Sequence, residues 1–140
     1  MKRKFIGEGG ICFMDSWQLL KEVEKIEPDS LMATVDVPEN SQWFEGHFPG
    51  EPILPGIALL DMVYQAIKLD DQMKEDKVVL CSLKRIRFTG PVRPGEKLTV
   101  SMTSEHVNQE IFYTFKIAVK EDVVSSGLVA VTRMKQDKKV

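Results

Sequence analysis

The stretch F-E-G-H-F-P-G-E-P-I-L-P-G-I-A-L-L-D-M-V-Y-Q-A, Phe44 to Ala66, holds both the element that organises the fold and the groups able to do chemistry. Its first half is a loop stiffened by Pro49, Pro52 and Pro55 and opened by Gly46, Gly50 and Gly56, with His47 inside it. Prolines narrow the conformations from which a loop residue must be gathered, so His47 is held in place at lower entropic cost than in an ordinary loop. The second half predicts a helix from Gly56 to about Lys68. Pro55 suits its start, where a missing N–H costs nothing. From Ile57 to Ala66 only Asp61 and Gln65 are polar, so most faces of this helix are buried rather than one stripe. Such a helix needs a sheet around it.

The flanking chain supplies the strands. Leu31, Ala33, Val35 and Val37 alternate with Met32, Thr34 and Asp36, a half-buried strand ended by Pro38. Trp17 to Glu27, set off by the turn at Pro28-Asp29-Ser30, is expected as its hairpin partner, although Trp17, Leu20, Val23 and Ile26 also fit a helical period. Residues 1–14 carry mixed signals, with a break at Gly9-Gly10. Past the helix, Leu69 to Gln72 and the charged Lys74 to Lys77 read as its solvated exit. Four further strands follow: Val78–Thr89, Lys97–Glu105, the segment carrying Ile111, Tyr113, Phe115, Ile117 and Val119, and Val123–Met134. Asn108-Gln109 is the expected turn before the third of these, and Gly127 a candidate bulge in the last. Together they predict an α+β fold, a curved antiparallel sheet wrapped around a central helix, in one domain over residues 1–140. The free remainder of such a sheet favours pairing between subunits.

Composition excludes some functions and names none. With 140 residues and a formal net charge of −2, the chain has no global field that argues for nucleic acid or an anionic membrane. The apolar run within Ile57–Tyr64 is too short to span a bilayer. The basic start, M-K-R-K, lacks an apolar signal core behind it. Cys12 and Cys81 make no disulfide framework, and no metal-ligand spacing occurs. A reducing, cytoplasmic setting is expected, and no metal.

His47 and Asp61 stand out as a candidate acid/base pair. An unpaired carboxylate in an apolar helix is costly or is driven to its neutral form, and Asp is a poor residue for a helix interior. A neutral carboxyl is what a general acid needs near neutral pH. Gln65 lies one turn on and can orient that carboxyl. The N–H groups of Gly56 and Ile57 lack intrahelical partners and sit at the positive end of the helix dipole. There they could polarise a carbonyl, and Gly56 would let it approach closely. A base, an acid and an oxyanion site suit proton abstraction next to a carbonyl with loss of a neighbouring group. His106, beside Glu105 and Asn108, reads as an ordinary hydrogen-bonded surface histidine. Trp43, Phe44 and Tyr64 fit core packing better than the lining of a ligand tunnel.

G-H-F-P-G-E-P-I-L-P-G (Gly46–Gly56), followed by Leu60-Asp61 and Gln65-Ala66, resembles the 3-hydroxyacyl-acyl-carrier-protein dehydratases of bacterial fatty acid synthesis. R-F-T-G-P-V-R-P-G-E (Arg87–Glu96) resembles their second recurring segment, and the likeness runs over about residues 17–134. It implies the hot-dog fold, a homodimer with a continuous sheet, an active site shared between subunits, and no need for an organic cofactor. In that setting His47 removes the C2 proton of a 3-hydroxyacyl thioester. Asp61 of the partner protonates the departing C3 hydroxyl, and the Gly56 N–H binds the thioester oxygen. Phe48, Pro55, Ile57 and Gln65 then contact substrate, while Lys84, Arg85, Arg87 and Arg93 dock an acidic acyl carrier protein. The same four charges also suit a guarded strand edge. Asp rather than Glu at position 61 is typical of the branch that also isomerises trans-2 to cis-3 enoyl chains. Phe13–Leu20 stands where the chain-length-tolerant branch carries a different segment. Competing readings are a hot-dog acyl thioesterase and a non-catalytic acyl-carrier binding module.

Overall fold

A computed structural model describes residues 17–44, 52–73 and 76–135, together with the backbone of 3–6. Among these residues seven strands form one antiparallel sheet: β1 (Arg3–Ile6), β2 (Glu22–Glu27), β3 (Ser30–Asp36), β4 (Lys77–Phe88), β5 (Lys97–Val107), β6 (Glu110–Val119) and β7 (Asp122–Met134). Among the described residues a single long helix, α1 (Gly56–Leu69), lies between β3 and β4 in the chain. The spatial order is β1-β2-β3-β5-β6-β7-β4, so β4 crosses to the far edge and pairs only with β7. Among the described residues no helix is long and apolar enough to cross a membrane.

The inward face follows from period-2 alternation. Leu31, Ala33 and Val35 of β3 lie opposite Met102, Val100 and Leu98 of β5, and these in turn face Phe115, Ile117 and Val119 of β6. Against this row α1 buries Ala58, Leu59, Met62, Val63, Ala66 and Ile67. Burying one such Leu, Val, Ile or Met side chain contributes about 1.5–3 kcal/mol, so the helix is anchored chiefly by these contacts. Three two-residue turns close the hairpins: Pro28-Asp29, Asn108-Gln109 and Lys120-Glu121. Asn108 and Lys120 take positive φ at the first turn position, the conformation that matches strand twist in tight hairpins.

Three expectations are corrected. The hairpin partner of β3 starts at Glu22; Trp17 to Lys21 is irregular, with Leu19 and Leu20 buried and Trp43 donating to the Trp17 carbonyl at 2.6 Å. The bulge suspected at Gly127 lies on β4 opposite it. Lys84 pairs Leu128 and Arg87 pairs Ser126, which leaves Arg85 and Ile86 facing Gly127 alone. Arg85 has φ 56°, and a Cβ at position 127 would fall 2.5 Å from Ile86 Cδ1 and 3.2 Å from its Cα. Gly127 is therefore glycine because the bulged strand presses on it. Third, the start of the expected solvated exit is not solvated: Asp70 and Met73 are buried, while Lys77 is exposed and Lys74 and Glu75 lie outside the described residues. Gly9, Gly10 and Cys12 lie outside the described residues.

Candidate active site

The site is built where the two motif segments meet, at the start of α1. Pro55 is the N-cap, extended at φ −68° and ψ 151°, and gives no side-chain cap bond. Its carbonyl accepts from Ala58 N at 2.9 Å. Among the described residues no side chain or carbonyl accepts from the N–H groups of Gly56 and Ile57. Leu54 N donates to the carbonyl of buried Val92 at 2.8 Å, which ties the residues before α1 to the second motif. That motif is itself braced: Arg93 N donates to Glu96 Oε1 at 2.5 Å, and Gly95 N to the Val37 carbonyl at 2.9 Å. Gly95 has φ 83°, a conformation that favours glycine. The P-G-E signature thus fixes a turn that holds the helix start in place.

From that start an apolar groove runs along α1. Ile57, Leu60, Asp61 and Tyr64, spaced as one helix stripe, face Leu80 and Leu83 of β4 and Val129 of β7 across a cavity of about 260 Å³. Trp43 lines it too, held edge-on to Trp17 with ring centroids 4.9 Å apart. Asp61 is half-buried and contributes a carboxyl to this otherwise apolar wall. Gln65 Nε2 reaches Asp61 Oδ1 at 3.4 Å, a long contact that orients more than it stabilises. The Tyr64 hydroxyl donates to the Val78 carbonyl at 3.2 Å, and Lys68 Nζ stands 5.1 Å from the Tyr64 ring centroid. Trp43 and Tyr64 thus line the groove as well as packing on the core, while Phe44 does the latter.

The remaining candidates divide by element. Pro55, Gly56, Ile57, Asp61 and Gln65 come together on the first turns of α1; His47 and Phe48 lie outside the described residues. Lys84, Arg85, Arg87 and Arg93 are all exposed. Lys84 and Arg87 flank the β4 bulge, Arg85 lies in it, and Arg93 sits on the braced turn. His106 is exposed, and its Nε2 lies 2.6 Å from Gln72 Oε1.

Sequence reading missed a buried polar cluster at the other end of α1. Lys25 Nζ donates to Asp70 Oδ1 at 2.7 Å and Asp71 Oδ1 at 2.9 Å. Tyr113 Oη donates to Asp70 Oδ2 at 2.6 Å, and Gln72 Nε2 to the same oxygen at 2.5 Å. Burial works against charge on both Lys25 and Asp70. The bonds between them outweigh it, so the amine is raised and the carboxyl lowered from their ordinary values. Burial and the bond to Asp70 raise the Tyr113 hydroxyl. One signal was available: Lys25 shares the inward phase of Val23 on β2, where an amine needs a partner.

A family model for ApeI-like dehydratases matches residues 23–128. The 3-hydroxyacyl-acyl-carrier-protein dehydratase FabZ of Pediococcus pentosaceus is 30% identical over 125 residues, covering 84% of this chain and 80% of the relative. The FabZ of Wolbachia pipientis is 33% identical over 120 residues, covering 80% and 83%. Among solved structures, a chain of the dehydratase heterocomplex ApeI:P from Xenorhabdus doucetiae superposes with a TM-score of 0.65. It is 22% identical, over 79% of this chain and 94% of that one. The sheet and its central helix are the hot-dog fold. By the family match and the relatives' coverage, the chain belongs to the ApeI-like dehydratases.

Proposed function

We propose that the protein eliminates water from a 3-hydroxyacyl thioester carried on acyl carrier protein, giving the trans-2-enoyl thioester for fatty acid or related lipid synthesis. The observation that carries this reading is a carboxyl, Asp61, set into the wall of an apolar groove that begins at uncapped helix N–H groups. An acyl chain suits the groove, a thioester carbonyl suits the N–H groups, and a leaving hydroxyl needs an acid between them. His47 takes the C2 proton, and its bonding electrons form the C2–C3 double bond. The C3–O bond breaks as Asp61 delivers a proton, so the hydroxyl leaves as water. The Gly56 N–H steadies negative charge on the thioester oxygen while C2 is being deprotonated. Phe48, Pro55, Ile57 and Gln65 hold the substrate. With Asp at position 61, the same pair can return a proton elsewhere along the chain and isomerise the enoyl product.

We further propose a homodimer paired through β4. Of the twelve residues of β4 only Val78 is buried, its outer edge has no neighbour among the described strands, and Leu80, Leu83 and Phe88 are exposed. A long apolar edge of this kind calls for a partner strand. Pairing there brings a second chain to the groove, so that each site draws on both. Lys84, Arg85, Arg87 and Arg93 lie beside it for an acidic carrier and the phosphate of its pantetheine arm. A reducing cytoplasm suits the exposed free thiol of Cys81.

The test is to supply 3-hydroxyacyl and trans-2-enoyl thioesters on carrier protein and on coenzyme A, and to follow interconversion and thiol release. Interconversion that His47→Ala abolishes supports the dehydratase. Thiol release without interconversion replaces it with a thioesterase, and binding without turnover with a carrier-binding module. Mixed dimers of His47→Ala and Asp61→Asn chains should regain part of the activity if each site uses both subunits.

A further inference from the structure

Phe88 ends β4 and belongs to the second motif. Its side chain is 51% exposed, yet the backbone around it is pinned. Buried Ser125 donates to the Arg87 carbonyl at 2.9 Å, Thr89 N to the Val124 carbonyl at 2.8 Å, and Thr89 Oγ1 to the Val123 carbonyl at 2.8 Å. From this fixed base the ring reaches across to α1. A Cβ built on Gly56 would lie 2.8 Å from Phe88 Cζ and 2.9 and 3.0 Å from Cε1 and Cε2. The tip of the ring therefore rests on the glycine's bare α-carbon, and no other residue leaves it that space. Gly56 immediately precedes Ile57, the first residue of the groove stripe, itself 62% exposed. A large aromatic on a pinned backbone, half in solvent, adds little to the core. Pairing through β4 would account for its exposure; its contact with Gly56, one residue before the groove stripe, is what needs explaining.

We propose that Phe88 is a positioning residue for the dehydration, acting through the first turn of α1. This rests on the dehydratase reading above. The ring blocks one flank of the Gly56 and Ile57 N–H groups, so the thioester lies on the flank that leads to Asp61. It also keeps water from that flank, which strengthens any bond those donors make to the thioester oxygen. Gly56 is glycine to admit the ring, not to admit the substrate carbonyl.

A double-mutant cycle separates these two roles for Gly56. In Gly56→Ala the new methyl displaces the ring tip into solvent, and in Phe88→Ala the ring is gone, so both changes produce one lesion. Each single variant should lose roughly tenfold in kcat, less than the roughly hundredfold that a 1 Å misplacement of substrate can cost, with KM nearly unchanged and the melting temperature close to wild type. The double variant should be no slower than the slower single, and Phe88→Leu should recover part of the rate. Independently of turnover, the Gly56 α-proton resonances should lie upfield under the ring and move downfield in Phe88→Ala. The inference is overturned by losses that multiply to about a hundredfold in the double variant, by a Phe88→Ala rate equal to wild type, or by unmoved Gly56 resonances. A wild-type protein that does not interconvert the thioesters removes the dehydratase reading and this role together. An active wild type with multiplying losses removes this role alone.

Discussion

The two ends of α1 are finished in opposite ways. At its C-terminal end Asp70, 2% exposed, is met by an amine and a hydroxyl from two other parts of the chain and by the amide of nearby Gln72. At its N-terminal end Pro55 leaves the first turn uncapped, and Ile57 and Phe88 stand in solvent. A carboxylate at a helix C-terminus opposes the dipole, so the sealed end is tolerated only because Lys25 faces it. The open end has donors with no partner among the described residues and bare apolar surface beside them. One end holds the helix, and the other carries the proposed site.

Substitutions at the two ends should therefore fail in different measurements. Asp61→Asn should cut the dehydration rate by about 10²–10⁴-fold, the usual worth of a general acid, with no loss of melting temperature because the side chain is only half-buried. A comparable loss of stability would show that Asp61 is a structural residue. Asp70→Asn should do the reverse. It leaves the Lys25 amine in a buried site with Asp71 alone, which should cost about 3 kcal/mol in denaturant unfolding, with the rate of the folded fraction little changed. Tyr113→Phe removes a single donor to that carboxylate and should cost about 2 kcal/mol by the same measurement. Gln65→Leu, which breaks only a 3.4 Å contact, should be the mildest, a few-fold in rate with stability held.

The sealed end also predicts a pH dependence. The native Asp70 carboxyl lies below its unfolded value: burial pushes it up, but the bonds from Lys25, Tyr113 and Gln72 pull it further down. Its contribution is complete above the unfolded value of about 3.9 and is lost as pH falls through the lower native value. Lys25 is raised, so its contribution is complete below its unfolded value and lost as pH rises through the higher native one. Stability measured against pH should fall on the acid side in wild type and more shallowly in Asp70→Asn. Equal acid limbs would remove Asp70 from the account.

This contrast also explains what the sequence could tell. Local patterns are legible: the alternation of Leu31, Ala33 and Val35, the apolar run from Ile57 to Ala66, and a carboxyl out of place within it. Asp61 announces itself because its neighbours are apolar. Asp70 does not, because Asp71 and Gln72 beside it look like a solvated helix end. What buries it is Lys25, 45 residues earlier, and Tyr113, 43 later, and no local window contains such a pairing. The same holds for Gly56, whose partner ring sits on a strand that reaches it only through the fold. Two bulges on β4 likewise blur its alternation, so its edge position is clear only once its single neighbour, β7, is known.

That single neighbour has a consequence for synthesis. β4 is made right after α1, but it has nothing to pair with until Asp122–Met134 has left the ribosome. Until then the strand that walls the groove is an unpaired apolar ribbon beside an uncovered helix flank. Nascent chains stalled before residue 122 should be the ones that chaperones retain, and long-range closure of this kind is slow. The vulnerable moment for this protein comes late in translation.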